Sequence, residues 1–236
     1  MSGKNAKSTP LARQERSFLR FTLSQRWEHA TLLLTGLVLL LTGLPQKYRE
    51  FSLSQDLLST PEQIFLIRQI HHIAAIVLSL LVIYHLARIL VLMSRRSLPG
   101  DLLPTMQDLR DAWHMLQYLL FLRKDKPKFG RYNFEQKVTY WVIFFSIAIM
   151  GISGLIIWFP VQATLFLPGG VVPAAKMAHS TESVVLAIFI VIWHIYHVHI
   201  ERLNMSMFTG RLSEEEMRTF HEKEYQRLTS QSGERK

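Results

Sequence analysis

The chain has 236 residues, 49% of them hydrophobic and 19% charged, with a formal net charge of +9 and no cysteine. The missing thiols exclude disulfides, cysteine-ligated iron–sulfur clusters and covalently attached c-type haem. The apolar residues gather in long runs, which places the chain in the membrane class, and the positive charge is confined to a few segments, which argues against nucleic acid as a partner.

Residues 1–20 are polar and basic, with Lys4, Lys7, Arg13, Arg16 and Arg20, and read as a mobile tail. The first apolar run, Glu28–Leu44, lacks a following small-residue cleavage pattern and is expected to stay as a span, not to leave as a signal peptide. Phe21–Trp27 lead into it at interface depth, where Trp is favoured and Arg can snorkel. It is the shortest of four segments that approach the roughly 20 residues needed to cross a bilayer. The others are Arg68–Met93, Val138–Phe159 and Met177–Ile200. Between the second and third spans, Leu98-Pro99-Gly100-Asp101 reads as a turn. After it, Leu109, Trp113, Leu116, Leu119 and Leu120 recur at helical spacing and predict an amphipathic helix at the membrane interface. Beyond the last span, Phe208-Thr209-Gly210 reads as a turn and Ser213 as the N-cap of a charged helix reaching Leu228, with Glu214, Glu215 and Glu216 placed to meet the helix dipole.

The basic residues orient the spans. The tail and the middle loop (Arg95, Arg96, Arg110, Arg123, Lys124, Lys126, Lys128, Arg131, Lys137) are rich in them. Of the other two loops, one has Lys47 and Arg49 offset by Glu50, Asp56 and Glu62, and the other has Lys176 nearly alone. Positive charge stays on the cytoplasmic side, so both termini and the middle loop are expected there, in a multi-pass protein of the cell inner membrane. The predicted fold is all-α: an integral membrane four-helix bundle with an interfacial amphipathic helix and a cytoplasmic C-terminal helix. It divides into a tail (1–20), a transmembrane domain (21–210) and the C-terminal helix and tail (211–236).

The histidines make residues 21–210 a candidate haem-binding domain. Eight of the ten, His29, His71, His72, His85, His179, His194, His197 and His199, fall within or beside the spans. Ionisable groups in hydrocarbon are costly and mark function, and neutral imidazole is a common ligand of metals and haem iron. The topology puts His71, His72 and His179 near the outer face and His29, His85, His194, His197 and His199 near the inner one. At 1.5 Å rise per residue, His71 to His85 spans about 21 Å and His179 to His194 about 22 Å, so two layers result. At about 100° per residue, His197 returns closest to the face of His179, while His194 is off by roughly 60°. Gly36 and Gly43, like Gly151 and Gly154, sit near one helix face and give a flat macrocycle room, although helix packing alone explains them as well.

Arg26-Trp27-Glu28-His29, Thr42-Gly43-Leu44-Pro45, Arg131-Tyr132-Asn133-Phe134-Glu135-Gln136-Lys137 and Gly154-Leu155-Ile156-Ile157-Trp158-Phe159-Pro160 together resemble the dihaem cytochrome b subunit family. That family includes the gamma subunit of respiratory formate dehydrogenase, the b-type subunits of nickel–iron hydrogenases and proteins like cytochrome b561. The resemblance runs from Phe18 to Gly210 and implies two b-type haems, the outer held by His71 and His179 and the inner by His29 and His194. His194-Ile195-Tyr196 matches the family pattern of ligand, hydrophobic residue and Tyr, but its spacing from His179 is one residue long. A small helix distortion would absorb the excess, and His197 is the alternative. His85 departs from the pattern. It is a ligand replacing His29, a ligand with His197 of a third haem, or a hydrogen-bonding neighbour. His72 points about 100° away from His71 and reads as packing. The resemblance also implies a quinone site, for menaquinone or ubiquinone, bordered by Asn133 and Gln136; plain helix capping explains those two residues equally well.

The expected function is electron transfer between the quinone pool and an outer-face redox subunit that carries iron–sulfur clusters or c-type haems. Two other classes compete: a histidine-lined metal transporter, which would ordinarily add membrane carboxylates where this chain has Glu28 and Glu182 at span margins, and a haem-free membrane anchor.

Overall fold

The computed structural model describes residues 16–96, 100–201 and 203–233. Residues 1–15 of the basic tail and Leu98 and Pro99 of the expected turn lie outside these. The tail ends earlier than expected, because Ser17–Leu19 form a strand, β1. Four long helical segments follow, each apolar enough to cross a membrane: α1 (Leu23–Lys47), α3 (Pro61–Ser94), α5 (Phe134–Trp158) and the continuous stretch Val171–Ile200. The protein is an integral membrane helical bundle. Short helices α2 (Ser52–Leu57) and α6 (Pro160–Phe166) close the two loops at the distal end, and α4 (Met106–Leu119) lies in the middle loop at the proximal end, near the termini.

Local chemistry sets the starts. Thr22 with Gln25, Thr60 with Gln63 and Asn133 with Gln136 form reciprocal capping boxes at α1, α3 and α5, each satisfying two backbone donors that the first turn leaves unpaired. Each helix therefore begins several residues before its apolar run. The fourth span changes character along its length: α7 (Val171–Phe189) is α-helical, and Ile190–Ile200 is a π-helix. Its wider winding is seen in the Glu201 N–H, which donates to Tyr196 O at 2.8 Å.

Helix α1 packs along α3, and α5 packs along α7, while α1 and α7 make the main contact between the two hairpins. The buried residues of the spans are small, hydroxyl-bearing or polar: Thr35, Ala74, Lys137, Ser146, Ser153 and Ala175, with Pro45. Large apolar side chains face outward, as expected where the solvent is lipid and packing favours small residues between helices.

At the proximal end, α8 (Ser206–Thr209) leads to Gly210, at φ +78°, and then to β2 (Arg211–Ser213). A Cβ at Gly210 would meet Phe21 O at 3.0 Å, so glycine is needed there for both conformation and space. Strand β2 pairs antiparallel with β1, Phe18 opposite Leu212. Two helices follow, α9 (Glu214–Phe220) and α10 (Glu222–Gly233), where one charged helix was expected; Ser213 is the N-cap as predicted. The break is at His221, which is 1% exposed, with its Nδ1 2.9 Å from Gly130 O. Leu212 on β2 and Met217 on α9 are likewise buried.

Candidate functional site

Two pairs of imidazoles face each other across the bundle. The His71 and His179 ring centres are 6.3 Å apart at the distal end, and those of His29 and His194 are 6.2 Å apart at the proximal end. A metal–imidazole bond is about 2 Å long. Two such bonds end to end, with half a ring beyond each, give roughly this separation, so each pair would fit one metal ion between its rings.

The distal pair is held by its neighbours. The Thr42 hydroxyl donates to Val38 O at 2.7 Å, so at 2.8 Å from His71 Nδ1 its lone pair accepts the Nδ1 proton. His179 Nδ1 is 3.0 Å from Met150 O and 3.2 Å from Ser153 Oγ, whose proton is directed at Ile149 O. A proton fixed on Nδ1 leaves the Nε2 lone pair for a ligand, the usual arrangement around metal-bound histidine. A glycine stands against each ring. A Cβ at Gly43 would lie 3.3 Å from His71 Cε1, and one at Gly154 would lie 3.1 Å from His179 Cε1. The same device, a hydroxyl residue followed by glycine, thus seats one histidine on α3 and one on α7.

The sequence profile of the prokaryotic cytochrome b561 family matches residues 20–210. The chain belongs to that family. Over 68 residues the cytochrome is 41% identical to the formate dehydrogenase cytochrome b556(fdo) subunit of Escherichia coli K12, and equally to the same-named subunits of the O6:H1 and O157:H7 strains. The matched stretch is 28% of this chain and spans 31% of those subunits. Membership makes the protein a membrane b-type cytochrome of electron transfer, and the residues present fit its haem: imidazoles in facing pairs, two with Nδ1 already bonded, and glycines where a Cβ would crowd a ring.

His199 lies close enough to interact electrostatically with both His29 and His194, whereas three other histidines of the spans are turned elsewhere. His85 has both ring nitrogens occupied, Nδ1 by Glu28 Oε2 at 2.6 Å and Nε2 by Tyr140 OH at 3.2 Å. It sits as a hydrogen-bonding neighbour and faces no other histidine. His197 points to carboxylates, with Nδ1 2.8 Å from Glu201 and 3.8 Å from Glu135. His72 stacks on Trp158 with ring centres 4.1 Å apart. Asn133 and Gln136 complete the α5 capping box, and Gln136 Oε1 also accepts from the buried Arg20 guanidinium at 3.2 Å.

Several partners were not anticipated. Glu28 accepts from Ser24, His85 and Arg88, tying α1 to α3 one residue from His29. Glu182, expected at a span margin, lies about three turns inside a helix that begins at Val171, and accepts from Ser146 Oγ at 2.5 Å. Both membrane carboxylates are thus matched by donors from neighbouring spans. The Thr-Gly and Ser-Gly pairs were visible as glycines only; a hydroxyl preceding each glycine was the signal that would have found them.

Proposed function

We propose that this cytochrome carries electrons between a redox subunit at its distal face and the quinone pool through two b-type haems, as part of a respiratory oxidoreductase complex. The single observation that supports this most is the pair of interhelical imidazole couples, at 6.3 Å and 6.2 Å, one at each end of the bundle. His71 and His179 hold the distal haem and His29 and His194 the proximal one; His85 and His197 are not ligands. When bound, each haem supplies reversible one-electron iron chemistry, whose potential the axial ligands and their hydrogen bonds adjust.

The chain's own residues do the rest. Thr42, Ser153 and Met150 orient the distal imidazoles, and small buried residues let the hairpins approach a flat group. The proximal end, with both termini, faces the cytoplasm of an inner-membrane cytochrome, and the distal end meets a partner that carries iron–sulfur clusters or c-type haems. Quinone, menaquinone or ubiquinone, binds beside Asn133 and Gln136 near the proximal haem. Its reaction takes two electrons and two protons, so it needs polar groups at a lipid-accessible place, and the first turn of α5 offers them.

The test is a dithionite-reduced minus oxidised spectrum of the purified protein with pyridine haemochrome quantitation. Two b-type haems per chain are expected, falling to about one in His71→Ala or His194→Ala and staying at two in His85→Ala and His197→Ala. Three haems per chain would return His85 and His197 to the ligand set, and no Soret band in fully assembled protein would overturn the reading.

A further inference from the structure

The end of α4 combines two features that a soluble loop would avoid. Phe121 has φ +59°, in the left-handed region, and the Leu122 N–H closes back on Gln117 O at 2.8 Å. This is the helix-ending position that glycine ordinarily fills, because a Cβ there is strained. The residue present is instead a phenylalanine whose side chain packs on almost nothing: Phe121 is 95% exposed and Leu122 is 73% exposed. Neither local conformation nor packing within the chain accounts for this choice.

Position within the protein does account for it. Lys137 Nζ bonds Leu103 O at 3.2 Å and Asp108 at 2.9 Å, and Trp141 Nε1 donates to Leu102 O at 3.0 Å. Both partners are on the first turns of the spanning helix α5, so α4 is fastened at the bilayer boundary. Its exposed apolar residues Leu109, Trp113, Leu116 and Leu119 follow one helical stripe that runs into Phe121 and Leu122. Immediately beyond come Arg123, Lys124 and Lys126, all exposed, with Asp125 as the one acid among them. Apolar residues flanked by exposed cations match the acyl edge and phosphate layer of an anionic leaflet.

We propose that Leu119–Lys126 is a lipid-anchoring element: Phe121 and Leu122 enter the acyl boundary, and Lys124 and Lys126, with Arg123, bind the phosphates of anionic phospholipid. The strained backbone aims a large apolar side chain into the membrane at a place where glycine would aim nothing.

The native chain has no cysteine, so Leu122→Cys provides a single site for a nitroxide label. In holoprotein reconstituted into nanodiscs containing phosphatidylglycerol, the label is expected to be relaxed by oxygen and shielded from a water-soluble nickel chelate. Relaxation by nickel would overturn the proposal, and so would shielding from both reagents, which would mean that a partner subunit or a second copy covers this face. Adding Phe121→Gly should slow hydrogen exchange of the residue-122 amide, as strain is relieved, while shifting the label toward nickel; faster exchange would show that Phe121 is a packing residue and overturn the wedge. Lys124→Glu with Lys126→Glu should lower the excess of phosphatidylglycerol over phosphatidylcholine retained by the purified protein at least threefold. An unchanged ratio would overturn the headgroup site.

Discussion

Thr42 Oγ1 lies 2.8 Å from His71 Nδ1, with its own proton directed to Val38 O. Replacing Thr42 by Val keeps the branched shape and removes this acceptor, leaving His71 its backbone hydrogen bond to Leu39. Loss of such an outer partner weakens metal binding by about 10–100-fold. With His71 and His179 as the proposed ligands, Thr42→Val should shed one haem per chain selectively when equilibrated with a haem scavenger. Ser153→Ala should do less, because Met150 O, at 3.0 Å, is the closer of the two partners of His179 Nδ1, and Ser153 Oγ, at 3.2 Å, the farther.

The glycine seats make a steric prediction. A methyl group at Gly154 would stand 3.1 Å from His179 Cε1, and one at Gly43 would stand 3.3 Å from His71, whereas Gly36 has nothing within 4 Å. Overpacking of this kind costs about 1–3 kcal/mol. On the proposed two-haem ligation, Gly154→Ala is expected to shift the low-spin resonance of the distal haem in electron paramagnetic spectra, Gly43→Ala to shift it less, and neither to alter the proximal signal.

Glu28 is the shared acceptor of His85 and Arg88. Glu28→Gln removes the counter-charge and leaves a guanidinium against a neutral amide in a poorly solvated place. Breaking a partly buried pair costs about 3 kcal/mol, and removing the other charge as well restores much of it. The thermal midpoint in detergent should fall in Glu28→Gln and recover in Glu28→Gln with Arg88→Met. Additive losses in that cycle would count against the pairing.

Docking of α4 should depend on pH. Burial tends to raise the Asp108 carboxyl, but hydrogen bonds from Lys137 and Thr105 outweigh it and hold the group below its ordinary value. A depressed pKa stabilises the fold above the unfolded value, near 4, and the contribution is lost as pH falls through the folded value. Exchange protection of the first turn of α4 should hold from neutral pH down to about 4 and drop below it. Asp108→Asn should lose about 2 kcal/mol at pH 7 and show no such drop.

The parts of this protein that repeat over one helix were legible in its sequence. Apolar runs announced four spans, basic loops announced their grouping, and Ser213 announced the helix it caps. Motif similarity supplied the family. The pairing of Ser17–Leu19 with Arg211–Ser213 was not legible, because three-residue strands carry almost no periodic signal and their partners lie almost a chain length apart. Helix starts were placed late because capping boxes extend each helix through polar residues. The angular argument leaned to His197, since it assumed α geometry throughout. The structure sets His194, not His197, against His29, and the π-helix is the reason. Which carboxylate meets which cation, as for Glu28 with Arg88, depends on how α1 lies on α3, and no local pattern encodes that.

The π-helix also settles what one span can serve. His179 at its α-helical end looks to α3, His194 within the wider winding looks to α1, and His197 one turn on meets Glu135 of α5. An extra residue held as a bulge shifts everything after it without disturbing anything before it. The two halves of this helix are therefore indexed separately, and a one-residue deletion between Phe189 and His194 would re-aim the His194 ring while the His71–His179 couple stayed in place.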